Sequence, residues 1–90
     1  MIHSPEGATD VRIQRVRALI TKFDLALGYA RLASHFIDSH PQAARDQLAL
    51  AYEYYAECLA EWAELGLDSD ADWLLLEKRK TVGDCLEEFR

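Results

Sequence analysis

The spacing of the apolar residues is the feature that most restricts the fold of this chain. Between Asp10 and Asp38 they recur at alternating steps of three and four, with Ser34 at the one open step. This spacing places an apolar stripe, the first stripe, along one side of a helix, and apolar neighbours widen it to the breadth of a bundle helix. The first stripe consists of Ile13, Val16, Ile20, Phe23, Leu27, Ala30 and Ile37, and Leu19, Ala26 and Ala33 widen it.

A second run with the same spacing follows the turn at Ser39 and His40. It consists of Ala44, Leu48, Ala51, Tyr55, Cys58, Trp62 and Leu65. Pro41 suits the first turn of a helix, and Gly66 stands where a glycine commonly ends one. The short turn predicts that helices 1 and 2 are antiparallel neighbours.

A third helix is predicted after the cluster of acidic and hydroxyl residues from Asp68 to Asp72, which are typical of helix starts. Lys78 interrupts its apolar pattern. Gly83 lowers helix propensity by about 1 kcal/mol relative to alanine, so fraying or a kink is expected near residues 81–83. The apolar positions of this helix are Ala71, Leu75, Val82, Cys85 and Phe89.

These runs predict an all-α protein, a three-helix bundle made of an antiparallel hairpin and a third helix, and we expect it to dimerise. No run alternates at period two, and no repeat is present. A chain of 90 residues makes roughly one domain. We expect a flexible arm over residues 1–9 and a single domain over residues 10–90, with helices at about 10–38, 41–65 and 69–90.

Charge and cysteine usage restrict the classes of partner and compartment. The net charge of −6 excludes a general affinity for nucleic-acid backbones, which need a basic surface. No run of eighteen apolar residues predicts a membrane span, and no secretory signal is visible. Cys58 and Cys85 lack CxxC spacing, so we expect two reduced thiols in a cytoplasmic protein.

Helix 1 carries a second stripe of apolar residues on the flank away from the first. One helix in a two-layer domain needs only one such stripe. Either helix 3 covers the second stripe within the subunit, or part of it stays exposed and joins two chains into a homodimer. The second stripe consists of Ala18, Leu25, Tyr29, Leu32 and Phe36.

Four glutamates form an acidic ridge on one face of helix 2, namely Glu53, Glu57, Glu61 and Glu64. Like charges four residues apart destabilise a helix by about 0.2–0.5 kcal/mol per pair, so an offsetting contact is expected. Arg12, Arg15 and Lys22 of an antiparallel helix 1 would supply it locally. Alternatively, the acidic ridge meets a basic partner or imitates nucleic-acid phosphates.

Two further groups are weaker candidates for function. His35, Asp38 and His40 surround the first turn and could supply three ligands to a metal, although their spacing matches no known ligand signature and turn or capping roles explain all three. Trp73 opens helix 3 and either caps the end of the bundle or anchors a partner.

The function that we predict is a small non-enzymatic module for protein–protein interaction, acting as a regulator, adaptor or inhibitor. It binds no cofactor, membrane or nucleic acid directly, and its partners are another protein and a second copy of itself. The alternatives are an acidic nucleic-acid mimic that inhibits a nucleic-acid-binding protein, and a bundle that binds a metal or small ligand. The predicted partner-binding residues are Leu25, Tyr29, Leu32, Phe36, Trp73, Glu53, Glu57, Glu61 and Glu64.

Overall fold

The computed structural model describes the backbone of residues 4–89 and the side chains of residues 11–69 and 71–89. Within this part of the chain, every regular element is a helix, which confirms the all-α class. The helices are α1 (Ser4–Phe36), α2 (Pro41–Glu64), α3 (Leu67–Asp70) and α4 (Trp73–Glu87).

The helix boundaries differ from the prediction at the start of α1. Residues 4–9 of the predicted arm are helical, while residues 1–3 lie outside the described part. Pro5 is compatible with this early start because a helix does not use the N–H groups of its first turn.

The predicted third helix is divided into α3 and α4. Gly66 has a φ of 67°, a left-handed conformation that ends α2 as predicted, and Leu67 begins the single turn of α3. The chain is then extended at Ala71 and Asp72, and the Asp72 carboxylate accepts a hydrogen bond from the Leu75 backbone N–H at 3.0 Å. Asp72 is therefore the N-cap of α4, and α4 begins four residues later than the predicted third helix.

Most of the predicted core positions of α1 and α2 are buried or half-buried. Those of α2 all are, but Ile13 and Ile37, at the two ends of the first stripe of α1, are exposed. A strict alternation of three and four drifts by about 20° per heptad on a straight helix, so the two ends of the stripe rotate out of the core. The buried interface residues include Leu19, Phe23, Ala26, Ala30 and Ala33 of α1 and Ala44, Ala51, Cys58 and Trp62 of α2.

Contacts along the helices fix their directions. Arg15 pairs with Glu61, Lys22 with Glu57, and Tyr29 with Tyr54, so α1 and α2 are antiparallel as predicted. Likewise Arg79 lies over Trp62, Gly83 beside Tyr55, and the Tyr52 hydroxyl donates to the Leu86 carbonyl, so α4 is antiparallel to α2. The three long helices run up, down and up along a molecule of 59 × 22 × 17 Å.

Helix α4 packs on α1 and is unbroken over residues 81–83, where the sequence predicts fraying or a kink. Its buried residues are Leu75, Val82 and Leu86, and Lys78, which interrupts the apolar pattern, donates to Asp24 of α1 at 2.6 Å. The helix is continuous through Gly83 because its packing against the hairpin outweighs the low propensity of one glycine. None of the helices in the described residues is both long enough and apolar enough to cross a membrane.

Candidate interaction surface

The outer face of α1 carries two exposed leucines that α4 does not cover. Leu25 and Leu32 are 44% and 43% exposed. Helix α4 packs on the Asp24 side of α1, where Lys78 forms its ion pair. Of the two interpretations of the second stripe, cover by helix 3 therefore does not hold for these two leucines.

A shallow depression of about 430 Å³ surrounds the exposed leucines. Asp24, Leu25, Gly28, Tyr29 and Leu32 line it. Gly28 has open space where its side chain would be, with no atom within 4 Å of a Cβ placed there. The sequence pattern did not select Gly28, because a glycine contributes nothing to an apolar stripe.

The two aromatic residues of the second stripe, Tyr29 and Phe36, form ring contacts within the subunit. The Tyr29 ring stacks on Tyr54 of α2 with 5.7 Å between centroids and 2° between planes. The Phe36 ring meets the rings of His35 and His40 edge-on, at 5.0 and 5.8 Å. Both residues are half-buried. Tyr29 lines the depression on the side toward α2, whereas Phe36 is not part of the lining.

Helix α1 supplies partners to most of the acidic ridge. The Arg15 guanidinium bridges Glu61 at 2.7 Å and Glu64 at 3.0 Å, and these hydrogen bonds raise the pKa of Arg15. Lys22 lies 3.4 Å from Glu57. Glu53 is exposed on the same helix. The repulsion within the acidic ridge is therefore offset locally, as the antiparallel hairpin predicts. Two positive charges of α1 balance half of its four negative charges, and the acidic ridge borders the exposed face of α1.

Trp73 does not belong to the depression on α1. It is the first residue of α4 and is 75% exposed, and the neighbouring Leu74 and Leu76 are also exposed. The basic run that follows is engaged in the subunit: Lys78 pairs with Asp24, and Arg79 stacks over the Trp62 ring at 4.8 Å.

The residues of the candidate metal site do not converge. His35, Asp38 and His40 are exposed around the first turn, and the His40 ring nitrogen lies 3.0 Å from the Ser39 hydroxyl. In the part of the chain that the structure describes, no three histidine, cysteine or acidic side chains group as metal ligands. His35 lies in the last turn of α1, where a basic side chain favours the negative end of the helix.

Both cysteines are free thiols, and burial is what distinguishes them. Desolvation raises the pKa of the fully buried Cys58 to about 12. Desolvation and Glu88 also raise the pKa of the half-buried Cys85, against a lowering by Arg31. Because the thiolate is the reactive form, neither residue has the environment of a nucleophile.

Comparison of the chain with protein-family models, with curated proteins and with solved structures gave no match.

Proposed function

We propose that this protein is a small, non-enzymatic interaction module that binds through the outer face of α1, and that a second copy of the chain is its partner there. The observation that carries this proposal is Gly28, which lies exposed in the last third of a 33-residue helix between two half-exposed leucines. A glycine inside a helix costs about 0.5–1 kcal/mol relative to alanine. Nothing within the subunit requires it, whereas a second helix backbone crossing at this point would.

The spacing around Gly28 is self-complementary for an antiparallel pair of α1 helices. Leu25 and Leu32 lie three residues before Gly28 and four after it. A two-fold axis near Gly28 therefore places Leu25 of one copy opposite Leu32 of the other and covers both. Symmetric pairs of this type, in which one surface serves both subunits, are the commonest protein assemblies.

Two opposite charges lie at the edge of this face. Asp24 lies four residues before Gly28 and Arg31 three after it, and both are exposed. The axis that opposes the leucines leaves Asp24 of each copy two residues out of register with Arg31 of the other, which is within one helical turn, and Asp24 is already paired with Lys78 of its own chain. Such rim charges contribute more to orientation and selectivity than to affinity.

The first experiment measures the molar mass of the purified chain by light scattering at about 100 μM, well above a micromolar dissociation constant. The expected mass is twice the 10.3 kDa of one chain. Leu32→Glu is expected to give the monomer. Leu76→Glu is the matched control, because Leu76 is a somewhat more exposed leucine on α4 and its replacement should leave the dimer intact.

A second experiment separates the glycine from the leucines. Gly28→Ala should raise the stability of the monomer and weaken the dimer, two changes of opposite sign that follow only if another backbone approaches Gly28. A charge change at the rim is also informative: Arg31→Asp should weaken the dimer. A wild-type mass of one chain, or equal dissociation by Leu32→Glu and Leu76→Glu, would contradict the proposal.

A further inference from the structure

A second surface lies on the side of the molecule that α1 does not reach, between α2 and α4. It is a groove of about 510 Å³ whose lining residues all belong to these two helices. We call it the α2–α4 groove, and it is lined by Tyr52, Tyr55, Ala56, Leu59, Gly83, Asp84, Leu86 and Glu87.

The groove exists because small residues face it from both helices. Gly83 has no side chain, so the Tyr55 hydroxyl occupies the space beneath α4, 2.9 Å from where a Cβ on Gly83 would lie. Across the groove, α2 presents the exposed Ala56. The Tyr52 hydroxyl donates to the Leu86 carbonyl at 3.2 Å, which holds the Tyr52 ring in place. The groove is thus already formed in the free chain, and binding need not reorder its walls.

The charged residues that line the groove are acidic. They are Asp84 and Glu87, both exposed, and Glu53 follows Tyr52 on α2. Each of the two has an interaction within the chain: Lys80 pairs with Asp84 at 2.8 Å from one turn earlier on α4, and Glu87 is engaged as well. Exposed ion pairs are weak, so the cations of an incoming helix can exchange into them.

We propose that the α2–α4 groove binds an amphipathic helix of a protein partner whose apolar stripe is flanked by lysine or arginine. The groove follows α2 from Tyr52 to Leu59, a length of about 10 Å at 1.5 Å per residue, or two helical turns. This length accepts apolar anchors at positions i, i+4 and i+7 of a bound helix. The anchors lie over Leu59, Leu86 and the tyrosine rings, and the basic residues pair with Asp84 and Glu87.

This inference does not depend on the proposed dimer, because the two surfaces share no residue. An antiparallel contact through Leu25 and Leu32 leaves the lining of the α2–α4 groove uncovered. One molecule can therefore hold a second copy and a partner helix at the same time.

The probe for this proposal is a fluorescein-labelled helical peptide of about 16 residues, roughly four turns, with leucines at i, i+4 and i+7 flanked by lysines. The matched peptide keeps the leucines and replaces each lysine by glutamate. Fluorescence anisotropy should show binding of the lysine peptide and a dissociation constant for the glutamate peptide that is weaker by about tenfold or more. The amide signal of Gly83 should shift in NMR spectra on addition of the lysine peptide.

Two arginine variants test the location. Ala56→Arg fills the groove and opposes its charge, so it should weaken the lysine peptide by about tenfold or more. Ala60→Arg makes the same change at an exposed position of α2 outside the groove lining and should leave binding nearly unchanged. If Ala56→Arg does not fold, the double variant Asp84→Asn with Glu87→Gln serves instead and is also expected to weaken binding.

Several outcomes would overturn the proposal. Equal binding of the two peptides, equal losses in Ala56→Arg and Ala60→Arg, or an unmoved Gly83 amide would each do so. Dissociation of a dimer by the lysine peptide would show that a second copy occupies the groove. Light scattering tests the α1 surface separately. A chain that dimerises but does not bind the lysine peptide would therefore refute the peptide site in the α2–α4 groove and leave the proposed dimer in place.

Discussion

The phenolic oxygen of Tyr55 lies 2.9 Å from the position that a Cβ atom on Gly83 would occupy. That distance is shorter than real Cβ contacts, so the glycine and the tyrosine are matched across the contact between α4 and α2. The next ring carbon lies at 3.7 Å, an ordinary van der Waals distance. The hydroxyl alone therefore creates the need for glycine.

Gly83→Ala is predicted to destabilise the wild-type chain by about 1 kcal/mol, because the steric cost exceeds the gain in helix propensity. In a Tyr55→Phe background the same substitution should stabilise by about 0.5–1 kcal/mol, since only the propensity gain remains. Urea unfolding of the four proteins in this cycle measures both values. Equal effects of Gly83→Ala in the two backgrounds would contradict the match.

The N-cap of α4 gives a second prediction. Asp72→Ala removes the acceptor for the Leu75 N–H and should lower the free energy of unfolding by about 1 kcal/mol. Asp72→Asn keeps an acceptor oxygen of the same reach and should cost much less. Chemical unfolding measures both losses of stability. Equal losses in Asp72→Asn and Asp72→Ala would show that the hydrogen bond of the cap does not stabilise α4.

How far the sequence predicts this fold is clearest in the turns. Gly66 and Asp72 both act as the residue types predict, but the cluster between Asp68 and Asp72 contains several possible caps, and the pattern cannot choose among them. The exposure of Ile13 and Ile37 could not be predicted from their spacing, because it depends on the slow rotation of the stripe about the helix.

The candidate site was predictable where it is made of large apolar residues. Leu25 and Leu32 stand out in the sequence because they lie off the first stripe, and the structure leaves both half-exposed. Gly28 and Gly83 add nothing to a hydrophobic pattern, and their structural roles depend on whether a helix or open space lies opposite them. Likewise, the α2–α4 groove is defined by two helices that are distant in sequence.

Burial of Cys58 predicts a loss of stability in alkali. Its pKa is raised from 9.0 to about 12 in the folded chain, so the unfolded chain ionises first. The contribution is fully present below pH 9 and is lost as the pH rises from 9 toward 12, at up to about 1.4 kcal/mol per pH unit. Unfolding of wild type and Cys58→Ala at pH 8 and pH 10 isolates this effect, because every other titrating group is common to both. Parallel pH profiles would contradict the raised pKa.

The bridge from Arg15 to Glu61 and Glu64 predicts a small, salt-dependent contribution to stability. Arg15→Gln should lower the free energy of unfolding slightly in dilute buffer, as is usual for an exposed ion pair. The loss should shrink in 1 M NaCl, where the Debye length is about 3 Å. Arg17→Gln is the matched control, since it makes the same charge change on the exposed side of α1. A loss of the same size in Arg17→Gln would show that net charge, and not the bridge, is responsible.

The up, down and up course of the long helices separates the two ends of the described chain. Ser4 lies beyond the Arg12 contact with the Leu65 carbonyl, whereas Phe89 lies beside Ala33 and Pro41 at the opposite end. An even number of long helices would return the chain to its starting end. With three, residues 4 and 89 lie toward opposite ends of a rod 59 Å long, so labels or fused domains attached at these two residues would be held apart.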